Sequence, residues 1–262
     1  MNRDFFRFPH TPHLAWLGAS EPRDDKVLTP VEVNALLAGQ VIVEEKLDGA
    51  NLGISTGPDG TLRFQNRGQY LTPPWSGQFT RLSSWLPEHK PKLAEALGDK
   101  LILFGEWCTA RHSMDYNALP DWILAFDVYD RNEGQFWSTV RRNELAKRVG
   151  LSAVPRIFAG QTDLEKLKYL ALHEQSRFGS GHLEGVVIRR ENSERLEIRA
   201  KLVHPGFIQA INEHWSRRGM VWNRLAPPTK SSNTFSTPPS PSPASATTNS
   251  KNTSNSAPNT ST

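Results

Sequence analysis

Seven short apolar runs between residues 40 and 203 constrain the fold of this chain more than any other feature. Each has the length and β-branched content of a strand, and several end on a charged side chain. They fall at 40–47, 51–56, 61–66, 100–107, 122–130, 183–190 and 195–203. Between them, apolar residues at three-to-four spacing predict helices over 31–38, 78–97, 138–149, 163–175 and 206–219. Pro-Asp-Gly at 58–60 reads as a hairpin turn, with Gly60 free to take positive φ, and would pair 51–56 with 61–66. Strands repeatedly interrupted by helices, but containing this hairpin, predict an α+β domain of antiparallel or mixed sheets with flanking helices. A doubly wound parallel sheet fits less well.

No linker or fixed-period repeat divides residues 1–226, which are read as one domain. From Pro227 onward all but six of the last 36 residues are Ser, Thr, Pro or Asn. Such a segment has too little to bury to offset the entropy of an ordered backbone, so 227–262 is predicted to be disordered. The formal charge of +4 includes two tail lysines and no tail acids, leaving too small an excess for charge alone to indicate nucleic-acid binding. Cys108, the single cysteine, excludes an intramolecular disulfide and any CxxC zinc knuckle, and suits a reducing compartment. The amino-terminal segment is broken by Pro9 and Pro12, and no run approaches the ~18 apolar residues of a membrane span. An intracellular protein, cytoplasmic or nuclear, with no membrane association is therefore expected.

The charges at the strand ends carry the functional reading. Lys46 closes one run just before Gly49, with Glu45 and Asp48 beside it; read as a strand, Lys46 and Asp48 share a face. Glu106 follows KLILFG, Asp127 and Asp130 end WILAFDVYD, Glu184 opens LEGVVIR, and Arg199 and Lys201 share one face of RLEIRAKLV. An unpaired charge is costly to bury, so the joint explanation is a cleft lined with alternating cationic and anionic groups, as metal phosphates require. From the segment around Lys46 alone, a nucleophilic amine and a salt-bridged edge residue both remain open.

Taken together these segments resemble the covalent nucleotidyltransferase superfamily, most closely its RNA ligase branch. EKLDGAN matches the Lys-x-Asp-Gly motif, with Lys46 as the amine that becomes a lysine-nucleotide phosphoramide. Gln65-Asn66-Arg67-Gly68 is similar to the next motif, Leu103-Phe104-Gly105-Glu106 to the one whose glutamate holds the ribose, and Ala125 to Asp130 to the one whose aromatic ring, here Phe126, stacks on adenine. Glu184-Gly185-Val186-Val187 resembles the metal-supporting motif and Arg199-Ala200-Lys201 the final lysine pair, with arginine in place of the first lysine. Asn51 fits the RNA ligase form rather than DNA ligases or capping enzymes.

The resemblance implies a nucleotidyltransferase (ATP-grasp-like ligase) fold and an ATP-dependent RNA ligase that joins a 5′-phosphate to a 3′-hydroxyl. It implies catalytic Lys46, Asp48, Glu184, Arg199 and Lys201, and nucleotide contacts from Glu45, Asn51, Arg67, Glu106, Phe126 and Lys201. It also implies Mg²⁺, or Mn²⁺, supported by Glu184 and Asp127. Lys46 must lose its proton, for which the cations Lys201 and Arg199 and the metal would help. Only 204–226 separate the last motif from the tail, too little for the second domain of such enzymes, so a protein partner supplying substrate-binding surface is a further expectation. The alternatives are an RNA-end-binding module with a nucleotide pocket but no autonomous sealing, and a DNA ligase or guanylyltransferase relative.

Outside the motifs the readings are plainer. The histidines show no ligand spacing, and His112 has no evident partner; Cys108 reads as a small buried hydrophobe. Arg141, Arg142, Lys147 and Arg148 read as a solvated helix face. Trp75, Trp85, Trp137 and Trp222 are candidates for base stacking, which the sequence cannot sort.

Overall fold

The computed structural model describes residues 5–19, 26–210 and 220–227, with no side-chain description for 208–210. The tail expected to be disordered lies outside the described residues. What is described belongs to one compact unit, Met1–Pro227.

Two antiparallel sheets form this unit. The smaller has the order β11 (Leu196–Val203), β10 (Gly185–Glu191), β1 (Val41–Lys46) and β9 (Arg156–Gly160). The larger runs β4 (Tyr70–Leu71), β3 (Leu62–Gln65), β2 (Ala50–Thr56), β5 (Leu101–Trp107), β6 (Ile123–Asp130) and β7 (Gln135–Phe136). β8 (Ser152–Ala153) lies parallel to β6. The expected hairpin is present, with Thr56 opposite Leu62 and Gly60 at φ 76°. The α+β architecture is thus the one the sequence predicts.

The chain crosses between sheets at Leu47–Gly49, immediately after Lys46, so both sheets converge on that turn. Gly49 is required there: a Cβ would lie 2.6 Å from the Trp107 carbonyl oxygen of β5. β5 is buried on both faces, with Leu101 and Leu103 in one core and Ile102 and Phe104 in another, which explains its unbroken apolar run. The first core lies under α2 (Leu82–Leu97) and α3 (Thr139–Val149); a separate core packs α1 (Pro30–Leu37) and α4 (Leu164–His173) on the smaller sheet. The helices are capped as their sequences suggest: Thr29 and Glu32 form a reciprocal capping box, Ser138 and Asp163 accept from N3 amides, and Gly150 ends α3 at φ 80°.

The strands the sequence did not disclose are β4, β7, β8 and β9. Three have two residues each, too short for any periodicity, and exist because a longer strand offers them an edge. The helix expected over 78–97 begins at Leu82, after a 3₁₀ turn at Gly77–Phe79, and carries Pro87 and Pro91 on its exposed side. Of the helix expected over 206–219, α5 (Pro205–Ala210) is described and 211–219 lie outside the described residues. Among the described residues no helix is long and apolar enough to cross a membrane.

Candidate active site

The antiparallel pairing of β1 with β10 sets Lys46 opposite Gly185 and so beside Glu184. Lys46 Nζ lies 2.6 Å from both Glu184 carboxylate oxygens. Glu106 comes from the other sheet, where β5 places it opposite Asn51, and its Oε1 accepts the Gly49 N–H at 3.0 Å. Asp48 does not reach for the amine. Its Oδ2 accepts from Ser113 N–H, Ser113 Oγ–H and Met114 N–H at 2.7, 2.5 and 2.8 Å, while its own N–H donates to Tyr116 Oη at 2.9 Å. Asp48 therefore holds the 113–116 loop against the turn that carries Lys46.

Burial pushes the Lys46 ammonium toward deprotonation, but Glu184, Glu106 and Asp48 outweigh it and raise its pKa above the ordinary lysine value. This corrects the expectation that cations surround the amine: its near neighbours are carboxylates, and without a ligand Lys46 is held protonated. Burial raises both Glu106 and Glu184 to about 7, although Lys46 partly counters the effect at each. A carboxyl whose folded pKa is raised takes up protons on folding, so it lowers stability as pH rises from its unfolded value through about 7. A displacement of this size corresponds to roughly 3 kcal/mol. Glu106→Gln keeps the Gly49 acceptor and removes this effect. The melting temperature of wild type should fall by several degrees relative to the variant between pH 5 and pH 8, whereas parallel profiles would refute the assignment.

Lys46 stands between two cavities that share Lys46, Asn51, Arg67 and Glu106. One is an open cleft of about 900 Å³ that also includes Asp48, Glu184, Gln78 and Phe79. The other, about 120 Å³, is bounded by Phe126, Val187, Lys201 and, from the amino-terminal segment, Phe8. Lys201 sits opposite Val187 on β11, and its backbone N–H donates to Pro12 at 2.8 Å. Phe126 packs edge-on to Phe8 at 5.3 Å. The Asn51 Oδ1 atom is buried at this junction with no protein hydrogen bond. Arg67 is exposed on the turn between β3 and β4, which Asn66 shapes by accepting from the N–H groups of Gly68 and Gln69 at 2.8 and 2.9 Å. The structure thus brings Lys46, Glu184, Glu106, Asn51, Arg67, Phe126 and Lys201 around the two cavities.

Three expected side chains belong to the lining of the small cavity but are held by other protein groups. The Glu45 carboxylate accepts from Ser176 Oγ–H at 2.6 Å and from the Arg177 N–H at 3.1 Å, because in a strand it must face away from its neighbour Lys46. Asp127 is buried in ion pairs with Arg189, at 2.9 Å, and with Arg199, so guanidinium groups occupy both oxygens expected to support a metal. Arg199 correspondingly turns to Asp127 and lies 4.4 Å from the ring centres of both Phe8 and Phe136. A guanidinium suits such a planar pairing and stacking site, whereas an ammonium would reach as a point charge. Arg199 braces the small cavity and is held by Asp127, not by the Lys46 amine it was expected to assist.

The sequence reading missed the buried network behind this cavity. Arg142 donates to the Glu44 carboxylate at 2.5 and 3.1 Å and to the Phe126 carbonyl at 2.7 Å; Arg189 also donates to that carbonyl, at 3.3 Å. Arg142 is 1% exposed, which overturns its reading as part of a solvated face. The signal was available, because Arg142 shares the helical spacing of Leu145, Ala146 and Val149, all buried. His112 also has partners: Nε2 lies 2.7 Å from Gln78 Oε1, and Nδ1 lies 3.9 Å from Asp48 Oδ1.

A model of the RNA ligase family matches residues 39–203, the span holding every motif described above, and the chain belongs to that family. No curated protein sequence matches it. Among solved structures, the RNA ligase of Naegleria gruberi with pyrophosphate superposes at a TM-score of 0.56 with 15% identity, over 79% of this chain and 64% of the other. Two point mutants of that ligase with ATP and Mn, both 16% identical, give TM-scores of 0.54 (77% of this chain, 63% of the other) and 0.51 (68% and 54%). At this identity the likeness establishes the fold. The chain spans between about half and two thirds of the length of these structures.

Proposed function

We propose that this chain is an ATP-dependent RNA ligase that uses Lys46 as its nucleophile. The carrying observation is Lys46 bonded to Glu184 at the junction of an open cleft and a small aromatic-walled cavity. Typical ligand pockets hold about 300–1,000 Å³, so the small cavity can take only part of a nucleotide. The base and ribose belong there, between Phe126 and Val187, with Glu106, Lys201 and the otherwise unpartnered Asn51 Oδ1 within reach. The phosphates then extend past Lys46 toward Arg67.

In this reading Lys46 first gives up one ammonium proton to solvent, the amine attacks the α-phosphorus of ATP, a P–N bond forms as the P–O bond to pyrophosphate breaks, and a second proton leaves the nitrogen to solvent. AMP next passes to an RNA 5′-phosphate, and a 3′-hydroxyl displaces it. Glu184, a carboxyl at the edge of the open cleft, is the protein group that would support a divalent cation there. Among the described residues no group of three His, Cys, Asp or Glu is placed to hold a metal, so phosphate oxygens and water would complete its shell. Such an ion, Mg²⁺ or Mn²⁺, would neutralise the triphosphate and ease departure of pyrophosphate. The resting ion pair keeps the amine unreactive, and binding must redirect Glu184 from Lys46 before transfer.

The test is to incubate the full chain with ATP, Mg²⁺ and 5′-phosphorylated single-stranded RNA ending in a 3′-hydroxyl. An ATP-dependent joined or circular product is expected. Absence of both a joined product and AMP on the RNA end would refute the ligase reading.

A further inference from the structure

Just beyond the cleft-lining Phe79 in the sequence, two tryptophans enclose an arginine. The Arg81 guanidinium lies 4.6 Å from the Trp122 ring centre and 4.7 Å from that of Trp222. Arg81 follows Phe79, which lines the cleft, by two residues. Trp222 bridges to Ala110, two residues before the cleft-lining His112. The stack is therefore tied by two short stretches of chain to residues that line the cleft.

Segment 220–227 lies outside the span matched by the family and is firmly seated. Asn223, 2% exposed, donates to the Cys108 carbonyl at 2.9 Å and accepts the Tyr116 N–H at 3.0 Å. Trp222 is nonetheless 36% exposed, a large aromatic left at the surface by a segment whose neighbouring residue is fully buried. Arg111, whose N–H donates to the Val221 carbonyl at 2.8 Å, and Arg224, two residues after Trp222, have side chains 42% and 66% exposed, and the one acid they both approach is Asp115, at 3.2 and 3.8 Å. Two arginines sharing one exposed carboxylate leave net positive charge beside the stack.

We infer that the Trp122–Arg81–Trp222 stack and its flanking arginines dock the single-stranded RNA whose end enters the cleft. An unpaired base continues the stack on the outer face of Trp222, while Arg111 and Arg224 meet the backbone phosphates. The surface fits a nucleic-acid strand because it combines a base-sized aromatic face with exposed cations. Since the arginine between the two rings already fixes Trp222, little ordering is lost on binding. Base–aromatic stacking is worth about 1–3 kcal/mol per base, or roughly 5- to 150-fold in affinity. The inference rests on the ligase reading for its substrate but makes its own claim about binding.

The test measures fluorescence anisotropy of a labelled, 5′-phosphorylated single-stranded 12-mer RNA with the full-length wild type, Trp222→Ala, Trp222→Phe and Arg224→Ala. Thermal melts verify each fold, and wild-type labelling by ATP is followed separately. Trp222→Ala should weaken binding at least 5-fold, Trp222→Phe should stay within about 3-fold of wild type, and Arg224→Ala should lower both affinity and the salt slope. Wild-type affinity in Trp222→Ala and Arg224→Ala, equal loss in both Trp222 variants, or no RNA binding by wild type would overturn the inference. If wild type takes no label from ATP while the binding contrasts hold, the ligase reading fails and the docking surface stands.

Discussion

Gly185→Ala is expected to destabilise the fold by on the order of 3 kcal/mol or more and to abolish chemistry at Lys46, while Gly39→Ala should change stability by less than about 0.5 kcal/mol. Gly185 lies between β1 and β11, opposite Lys46 on one side and Val203 on the other. A Cβ there would fall 2.1 Å from the Leu202 carbonyl oxygen, a backbone atom that cannot rotate aside. The strands must separate at the point where Glu184 is aimed at Lys46, so the ion pair is lost together with the packing. Gly39 meets nothing within 4 Å of an added Cβ and serves as the control. Urea denaturation of the two variants checks the contrast; a Gly185→Ala protein as stable as Gly39→Ala would show that β10 and β11 do not approach as described.

Much of this arrangement was legible because its elements are local. The alternation and length of the apolar runs disclosed the main strands, the Pro-Asp-Gly turn disclosed the β2–β3 hairpin, and charges ending apolar strands disclosed Lys46, Glu106 and Glu184. Partners were harder to see, because a strand pattern gives a residue's face but not what lies across from it. Arg199 and Asp127 were both visible as charges in apolar strands. That they satisfy one another, 72 residues apart, depends on how β6 meets β11.

Arg142 failed for a related reason. Its spacing put it on the buried face of α3, but an arginine there is tolerable only with a partner, and Glu44 lies 98 residues away. The resemblance implies cations assisting Lys46, yet the pairing of β1 with β10 brings Glu184 to it and β5 brings Glu106. That difference changes the proposed chemistry: the site holds Lys46 in an ion pair rather than presenting a free amine.

The central claim is that Lys46 forms a covalent bond to AMP. Among the described residues Lys46 is the one lysine at the wall common to both cavities, and its removal leaves Glu184 without that partner. The most direct measurement incubates wild type and Lys46→Ala, each verified folded and free of bound AMP, with α-labelled ATP and Mg²⁺, then follows label that survives denaturation. Label on wild type and none on Lys46→Ala is the predicted result; label persisting on Lys46→Ala, or absent from wild type, would contradict the account.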